Sequence, residues 1–143
     1  MTKLNYKYLA GLFDGEGHIT IGKRQSNPNW NPQYYLSIGV TNTNKIILER
    51  IKDTLKTGRV VLNSRGYKRE NPRICYSWVA TSRKAQEVLK KIVPHLQIKK
   101  ERAVLALSFQ GRLKPQGNFH PVSKEEILVR ESLRNKLMEL NKK

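Results

Sequence analysis

Two acidic residues stand close together in a chain that is otherwise strongly basic. Residues 9–17 read Leu-Ala-Gly-Leu-Phe-Asp-Gly-Glu-Gly, so Asp14 and Glu16 are each followed by a glycine, and no other acid precedes Glu49. The apolar residues before them have helical spacing, and an acid near a helix C-terminus is disfavoured by up to about 1 kcal/mol at the surface. We therefore expect a cation to compensate these acids. In a basic chain, two isolated carboxylates predict a metal ion held against a polyanion.

The charge of the whole chain supports that expectation. Its 143 residues include 28 Lys and Arg against 11 Asp and Glu, which gives a formal net charge of +17. An excess of this size indicates a nucleic acid or another anionic surface as partner. The alternative is a generic basic protein, such as a small ribosomal protein. The length predicts a single domain over residues 1–143 with a substantial core.

Other kinds of site are disfavoured by composition. Cys75 is the only cysteine, which excludes an intrachain disulfide and a cysteine-rich zinc site. The three histidines are scattered and lack the spacing of metal ligands. The sequence has neither a signal peptide nor an apolar run long enough to cross a membrane. We expect a soluble intracellular protein of the cytoplasm or an organelle matrix, not secreted and with no membrane partner.

The elements that must position the acids follow from hydrophobic periodicity. Helical spacing predicts a first helix over residues 4–13, and alternation predicts a hairpin of two strands directly after it. The later elements are a helix, a second hairpin, two helices, a loop and a C-terminal helix opened by the capping box Ser123-Lys-Glu-Glu126. The strands are predicted at 18–25, 33–41, 59–65 and 73–80, the later helices at 44–56, 83–92, 96–109 and 123–140, and the loop at 111–122.

This order predicts an α+β fold in which both hairpins join one antiparallel sheet with helices on one face. The core is expected over residues 4–110. The other sheet face would be polar and basic, as suits a ribbon that enters the DNA major groove, although a solvated strand face is the alternative. Periodicity leaves open which side of strand 73–80 faces the core. The predicted DNA-binding residues are Arg24, Gln33, Tyr35, Ser37, Arg59, Asn63, Arg65, Lys68, Arg69, Arg73, Tyr76 and Trp78.

The stretch Leu9–Gly17 resembles the motif of the LAGLIDADG homing endonucleases, with Glu16 where the family usually has its second Asp. The element order fits the family through about residue 110, and the resemblance implies that the antiparallel sheet is saddle-shaped. The resemblance implies a homodimer, because members with one motif per chain pack their two motif helices at a two-fold axis. The interface is then expected to include Leu9, Ala10, Leu12 and Phe13, with Ala10, Gly11 and Gly15 small enough for close backbone approach.

The resemblance also assigns roles at the site. It implies that Glu16 binds Mg²⁺, with the carbonyl oxygen of Gly15 as a second ligand, and that Mn²⁺ or Ca²⁺ can substitute in binding. It gives Lys99 the position of the catalytic lysine and Asn42 the position of a polar, water-organising side chain. Asp14 is expected to be a structural acid that supports the turn.

The implied activity is that of a site-specific endonuclease for double-stranded DNA, with a long, pseudo-palindromic target and a role in intron homing. Two alternatives remain open. One is an intron RNA maturase, for which intron RNA would be the partner, and the other is a non-catalytic, sequence-specific DNA-binding protein of the same fold. A carboxylate and a lysine at the expected positions favour cleavage.

Overall fold

The computed structural model describes residues 3–63, 74–113 and 122–142. These residues form an α+β fold with a four-stranded antiparallel sheet, as predicted. The final helix is longer than any other described element. In chain order the elements are α1 (Tyr6–Glu16), β1 (Gly17–Arg24), β2 (Gln33–Asn42), α2 (Lys45–Leu55), β3 (Arg59–Asn63), β4 (Cys75–Thr81), α3 (Ser82–Ile92), α4 (Lys100–Arg112) and α5 (Lys124–Asn141).

The strand order β1-β2-β4-β3 joins the two hairpins through their central strands. Val40 of β2 pairs with Trp78 of β4, and Val60 of β3 pairs with the same residue from the other side. Paired residues of antiparallel strands point to the same face, so this register fixes both faces of the sheet. One face is covered by helices, and we call the other the open face.

The covered face and the helices share one hydrophobic core. Leu36, Ile38 and Val40 alternate along β2 and are fully buried, which is the half-buried pattern that the sequence predicts. Each fully buried side chain of this size contributes about 1.5–3 kcal/mol. Phe13 of α1 packs edge-on against Trp78, with ring centroids 6.0 Å apart. The motif helix is therefore fixed directly on the sheet.

Gly58, just before β3, makes room for the largest side chain in this core. Its φ is +85°, and a Cβ atom there would lie 2.4 Å from Nε1 of Trp78. The indole N–H donates a hydrogen bond to the carbonyl oxygen of Thr57 at 3.0 Å. Trp78 is therefore fixed by both packing and a partly buried hydrogen bond.

Two of the helix boundaries that differ from the sequence prediction affect the site. Helix α1 begins at Tyr6, where the side chain of Asn5 caps it, and runs through both motif acids to Glu16 rather than ending at residue 13. Helix α4 begins at Lys100 rather than at residue 96. The chain before α4 forms a 3₁₀ turn over Val93–His95 and then a bend, because its backbone N–H groups are bound elsewhere in the fold.

Helix α5 packs against α4 and the first hairpin. Ser123 caps it by accepting the N–H of Glu126 at 3.1 Å, in agreement with the capping box. Asn141 at its other end donates to the carbonyl oxygen of Ile19 in β1 at 3.0 Å. The predicted loop 111–122 is wrong at its start, since α4 continues to Arg112, and residues 114–121 lie outside the described chain. No helix in the described ranges is long and apolar enough to span a membrane.

Candidate active site and nucleic-acid interface

The end of α1 meets the start of α4, and Asp14 joins them. Its carboxylate accepts backbone hydrogen bonds from Gln97 at 2.9 Å, Ile98 at 3.1 Å and Lys99 at 2.9 Å. Hydrogen bonds to a charged group contribute about 1.5–3 kcal/mol, more than those between neutral groups. Asp14 therefore joins the end of α1 to a segment that lies more than 80 residues away along the chain.

Lys99 also connects this segment to α1, here through its side chain. Its ammonium donates to the carbonyl oxygen of Phe13 at 2.8 Å and to that of Gly17 at 2.6 Å, at the negative end of the α1 dipole. Lys99 is only 8% exposed. Burial lowers the pKa of its ammonium and the charge of Arg102 lowers it further, whereas Asp14 acts to raise it. Lys99 is thus the cation that the acidic helix end requires.

Glu16 is the acid that remains exposed at this helix end. Asn42, at the end of β2, donates a hydrogen bond from its side-chain amide to the Glu16 carboxylate. The carbonyl oxygen of the same amide accepts the N–H of Asn44 at 2.8 Å, which fixes the amide orientation. Glu16 has no ion pair with any described residue. The structure therefore brings Glu16 and Asn42 into contact and places Lys99 on the carbonyl groups that flank Glu16.

The donor set at this site fits a divalent metal, although one chain supplies few ligands. Within the described ranges no group of three or more His, Cys, Asp or Glu residues could hold a metal ion. Glu16 offers one exposed carboxylate, and Gly15 belongs to the last turn of a helix, whose carbonyl groups lack partners within the helix. Mg²⁺ is commonly held by one or two carboxylates together with water and substrate phosphates. This donor set is compatible with that coordination.

The motif helix has a second, exposed face beside this site. Tyr8, Gly11, Leu12, Gly15 and Glu16 line a groove of about 320 Å³. A Cβ atom at Gly11 or Gly15 would meet nothing within 4 Å. Glycine in a helix costs roughly 0.5–1 kcal/mol relative to alanine, and nothing in the described fold requires it at these positions. The groove is therefore open to close approach by another element.

Three of the four predicted dimer-interface residues are wrong. Leu9, Ala10 and Phe13 are fully buried, because they form the face of α1 that packs into the chain's own core. Leu12 is partly buried and lies in the groove. The face available to a second chain is the one on which Gly11 and Gly15 lie.

Strand pairing places six of the predicted DNA-binding residues on the open face. Two other predictions on β4 are wrong about the face. Trp78 is fully buried, and Tyr76 pairs with Leu62 on the covered side, where it packs against the core beneath the Lys45 ammonium. Arg65, Lys68, Arg69 and Arg73 lie outside the described residues. The open face carries Arg24, Gln33, Tyr35, Ser37, Arg59 and Asn63.

In the β1–β2 hairpin, two large side chains lie over glycines of the neighbouring strand. Gly22 pairs with Tyr35, and a Cβ atom at Gly22 would overlap the tyrosine ring at 2.2 Å, so the ring lies across the glycine. The Arg24 guanidinium lies 5.4 Å from the centroid of that ring, which positions its charge. His18 lies over Gly39 in the same way. A cation–π pair on a flat aromatic ring suits contact with phosphates or bases.

Five polar residues of the open face are not among the predicted DNA-binding residues: His18, Thr20, Thr41, Ser77 and Thr81. The alternation along β1 and β2 already places His18, Thr20 and Thr41 on the polar side of these strands. Ser77 could not be assigned until the pairing of β4 with β2 settled which side of that strand faces the core.

Comparisons with known proteins agree with this architecture. The sequence model of the LAGLIDADG endonuclease family matches residues 9–110. No curated protein matches the chain in sequence.

Several solved structures share the fold. The homing endonuclease I-CvuI, in complex with the uncleaved I-CreI target in the presence of Mg, superposes with a TM-score of 0.72 at 24% identity, covering 94% of this chain and 80% of that one. The archaeal intron-encoded homing endonuclease I-Vdi141I, complexed with DNA, gives 0.74 at 18% identity, covering 94% and 82%. The homing endonuclease I-TnaI gives 0.60 at 16% identity, covering 97% and 99%.

Proposed function

We propose, since this chain belongs to the LAGLIDADG endonuclease family, that it is a metal-dependent, site-specific endonuclease of double-stranded DNA that acts as a homodimer. The observation that carries the proposal is the exposed Glu16 carboxylate, held by the amide of Asn42 at the end of the motif helix. An accessible carboxylate in a chain of net charge +17 suits a site where a divalent cation binds between the carboxylate and a phosphate group.

Each residue at this site has a separate task in phosphodiester hydrolysis. Glu16 and the carbonyl oxygen of Gly15 hold the divalent ion, preferably Mg²⁺. When bound, the ion neutralises phosphate charge and activates water. Asn42 orients the Glu16 carboxylate. The ammonium of Lys99 has three N–H groups and uses two on Phe13 and Gly17, so the third can donate to a phosphate oxygen as charge develops there.

A homodimer completes a site that one chain provides only in part. Each chain contributes one Glu16, whereas cutting both strands of a duplex requires two cleavage centres. The groove along Gly11 and Gly15 allows a second motif helix to approach closely and brings two Glu16 carboxylates near one axis. A two-fold dimer also explains why the expected target is pseudo-palindromic.

The open face provides the proposed DNA-binding surface. Arg24 and Arg59 can contact phosphates or guanine, and Gln33 and Asn63 can contact adenine. Because binding of this kind releases counterions, affinity should fall steeply with salt. The I-CvuI and I-Vdi141I structures, which share the fold, are complexes with DNA, and the first was obtained in the presence of Mg with its DNA uncleaved.

The proposal is tested by incubating the purified protein with a duplex made from the sequences that flank its gene, with Mg²⁺, with Ca²⁺ and without metal. Cleavage of both strands only with metal, at one position, is the expected result. Binding without cleavage in Mg²⁺ would contradict the enzyme and favour a non-catalytic DNA-binding protein. Preferential binding and splicing of the intron transcript would instead favour the maturase.

A further inference from the structure

An aromatic ring and a guanidinium group form an ordered pair on the outer half of the β1–β2 hairpin. The Arg24 guanidinium, at the end of β1, lies 5.4 Å from the centroid of the Tyr35 ring in β2. Tyr35 is opposite Gly22 in the strand pairing, and Arg24 is two residues further along β1. Alternate residues of a strand point to the same face, so all three positions belong to the open face. Arg24 and Tyr35 are thus a diagonal pair on neighbouring strands.

Gly22 determines where the tyrosine ring lies. A Cβ atom at this position would be 2.2 Å from Cζ and 2.6 Å from the hydroxyl oxygen of Tyr35, so the ring occupies the space that a side chain would fill. The ring therefore lies across β1 instead of projecting away from the sheet. Tyr35 is only partly exposed, whereas Arg24 remains exposed. An accessible arginine thus has an aromatic ring as its support.

This contact leaves the hydrogen-bonding groups of Arg24 available. The Arg24 side chain has neither an ion pair nor a hydrogen bond with any described residue. A guanidinium carries five N–H donors, and a cation–π contact requires none of them. The charge of Arg24 is therefore positioned while its donors stay unoccupied by the described fold.

The direction of this charge favours the base edges inside a DNA groove over the phosphates beside it. Strand β1 is an outer strand, since the sheet order is β1-β2-β4-β3. Contact with a flanking phosphate would suit a side chain that extends away from the sheet, but Arg24 is turned inward over Tyr35 of the next strand. In the major groove, the commonest specific contact is a pair of hydrogen bonds from arginine to O6 and N7 of guanine.

We propose that Tyr35, seated over Gly22, is a positioning residue that holds the Arg24 guanidinium in place to read a guanine in the major groove. This inference rests on the proposed function. Positioning before binding strengthens the contact because less side-chain freedom is lost when DNA binds. The tyrosine hydroxyl has no hydrogen bond with any described residue, so the ring and not the hydroxyl group carries this role.

The place of this pair along β1 predicts where the guanine lies in the target. Glu16 directly precedes β1 and Arg24 is the last residue of that strand, so roughly 25 Å of extended chain separates them. The G·C preference should therefore appear in the outer part of each half-site, away from the cleaved bonds. In a two-fold dimer it should appear at one symmetric pair of positions.

The test is selection of bound duplexes from a randomised DNA library in Ca²⁺, using the full chain at a temperature at which every variant is folded. Wild-type protein should enrich G·C at one symmetric pair of outer positions. Arg24→Ala should reduce that preference by about 5- to 150-fold, the value of one bidentate base contact. Tyr35→Leu should reduce it at the same positions by about 2- to 5-fold, the value of an exposed cation–π contact.

Two further variants distinguish positioning from a general loss of structure. Tyr35→Phe keeps the ring, so it is the matched control and should retain the preference. Gly22→Ala keeps both side chains but displaces the ring, and it should lose as much preference as Tyr35→Leu. In the Tyr35→Leu background, Gly22→Ala should have no further effect, because no aromatic ring is left to displace. Preferences at all other positions should stay unchanged.

Three results would overturn the inference. An Arg24→Ala protein that binds all duplexes more weakly, to the same degree, would show that Arg24 contacts a phosphate. An undiminished preference in Tyr35→Leu, or an equal loss in Tyr35→Phe, would show that the ring does not position Arg24. A wild-type selection that enriches no sequence would overturn the proposed function as well, so failure of the function and failure of the inference alone are distinguishable.

Discussion

Acids are placed against cations and donors in two regions of this molecule, with opposite consequences. At the α1–α4 junction, Asp14 accepts three backbone N–H groups while Glu16, two residues later, remains exposed. Where α5 packs on α4 and the first hairpin, Glu126 and Glu131 are each engaged by several side chains. The comparison separates acids that build the fold from the acid that is left for chemistry.

The α5 region shows what a purely structural arrangement looks like. Glu131 accepts a hydrogen bond from the hydroxyl of Tyr34 and pairs with Lys23 at 3.3 Å and Arg134 at 3.7 Å. The pKa of Tyr34 is raised to about 12, mainly by burial and next by the hydrogen bond to Glu131. The same hydrogen bond is the main reason that the pKa of Glu131 is lowered.

Glu126 in the same helix is engaged in a similar way. It accepts from Arg112 at 2.7 Å and from Arg130 at 3.2 Å. The hydrogen bond from Arg112 is the main reason that the pKa of Glu126 is lowered. Neither Glu126 nor Glu131 is left with the single amide partner that Glu16 has, so neither resembles a metal ligand.

The largest expected effect comes from Glu16→Gln. Cleavage in Mg²⁺ should fall by at least about 100-fold, since a group that stabilises developing charge is removed. DNA affinity in Ca²⁺ and the urea midpoint should stay close to wild type. Glu139→Gln in α5, also exposed, is the matched control and should cleave normally. Retained cleavage by Glu16→Gln would remove this residue from the mechanism.

Asp14→Asn should instead act on stability. The neutral amide weakens three hydrogen bonds to a charged acceptor, and we expect a loss of about 1.5–3 kcal/mol in the free energy of unfolding, read from the urea midpoint. Asp53→Asn, which removes a carboxylate from an exposed pair with Lys56, should change that energy by less than about 0.5 kcal/mol. Equal losses in the two variants would contradict the capping role of Asp14.

Two substitutions of Gly11, in the groove on α1, should have opposite effects, one on folding and the other on dimerisation. Gly11→Ala should stabilise the helix by roughly 0.5–1 kcal/mol, because its Cβ meets nothing within the chain. Gly11→Leu should weaken the dimer by about 1–3 kcal/mol through overpacking. Sedimentation of both variants measures the strength of dimerisation.

Gly111 in α4 provides the control for that experiment. It is also exposed and helical, with nothing near its Cβ position. Gly111→Leu should leave the dimer intact. A Gly11→Leu protein that dimerises as strongly as wild type would place the interface elsewhere.

The smallest effect is a pH dependence at α5. Because the pKa of Glu131 lies below its ordinary value of 4.5, its stabilisation is complete above that pH and is lost as the pH falls through the lowered value. Glu131→Gln should cost less than about 1 kcal/mol at pH 7. The difference from wild type should shrink on acidification below about pH 4.5, whereas a difference that grows there would contradict the assigned sign.

How much was predictable from sequence depended on the range of the interactions. The alternation along β2 predicted both faces of that strand correctly, since it depends only on neighbouring residues. Strand β4 has apolar residues on both sides, so only its pairing with β2 showed that Trp78 is core. The apolar residues of α1 were assigned to a partner chain, although Leu9 and Phe13 pack on the chain's own sheet.

Contacts between distant residues explain the remaining errors at the site. The sequence indicated that the acidic helix end needs a cation, and Lys99 was singled out through the family resemblance. It did not reveal that Asp14 holds the backbone of Gln97, Ile98 and Lys99 in return. This exchange moves the start of α4 to Lys100, which periodicity placed four residues earlier.

The different roles of Asp14 and Glu16 are best distinguished by single-turnover cleavage. Asp14→Asn and Glu16→Gln are compared with wild type on the duplex that wild-type protein selects, in Mg²⁺ and at a temperature where all three proteins are folded. Glu16→Gln should lose at least about 100-fold in cleavage rate, and Asp14→Asn should retain most of the wild-type rate. The reverse order, with Glu16→Gln cleaving faster than Asp14→Asn, would show that Glu16 is not the acid that serves catalysis.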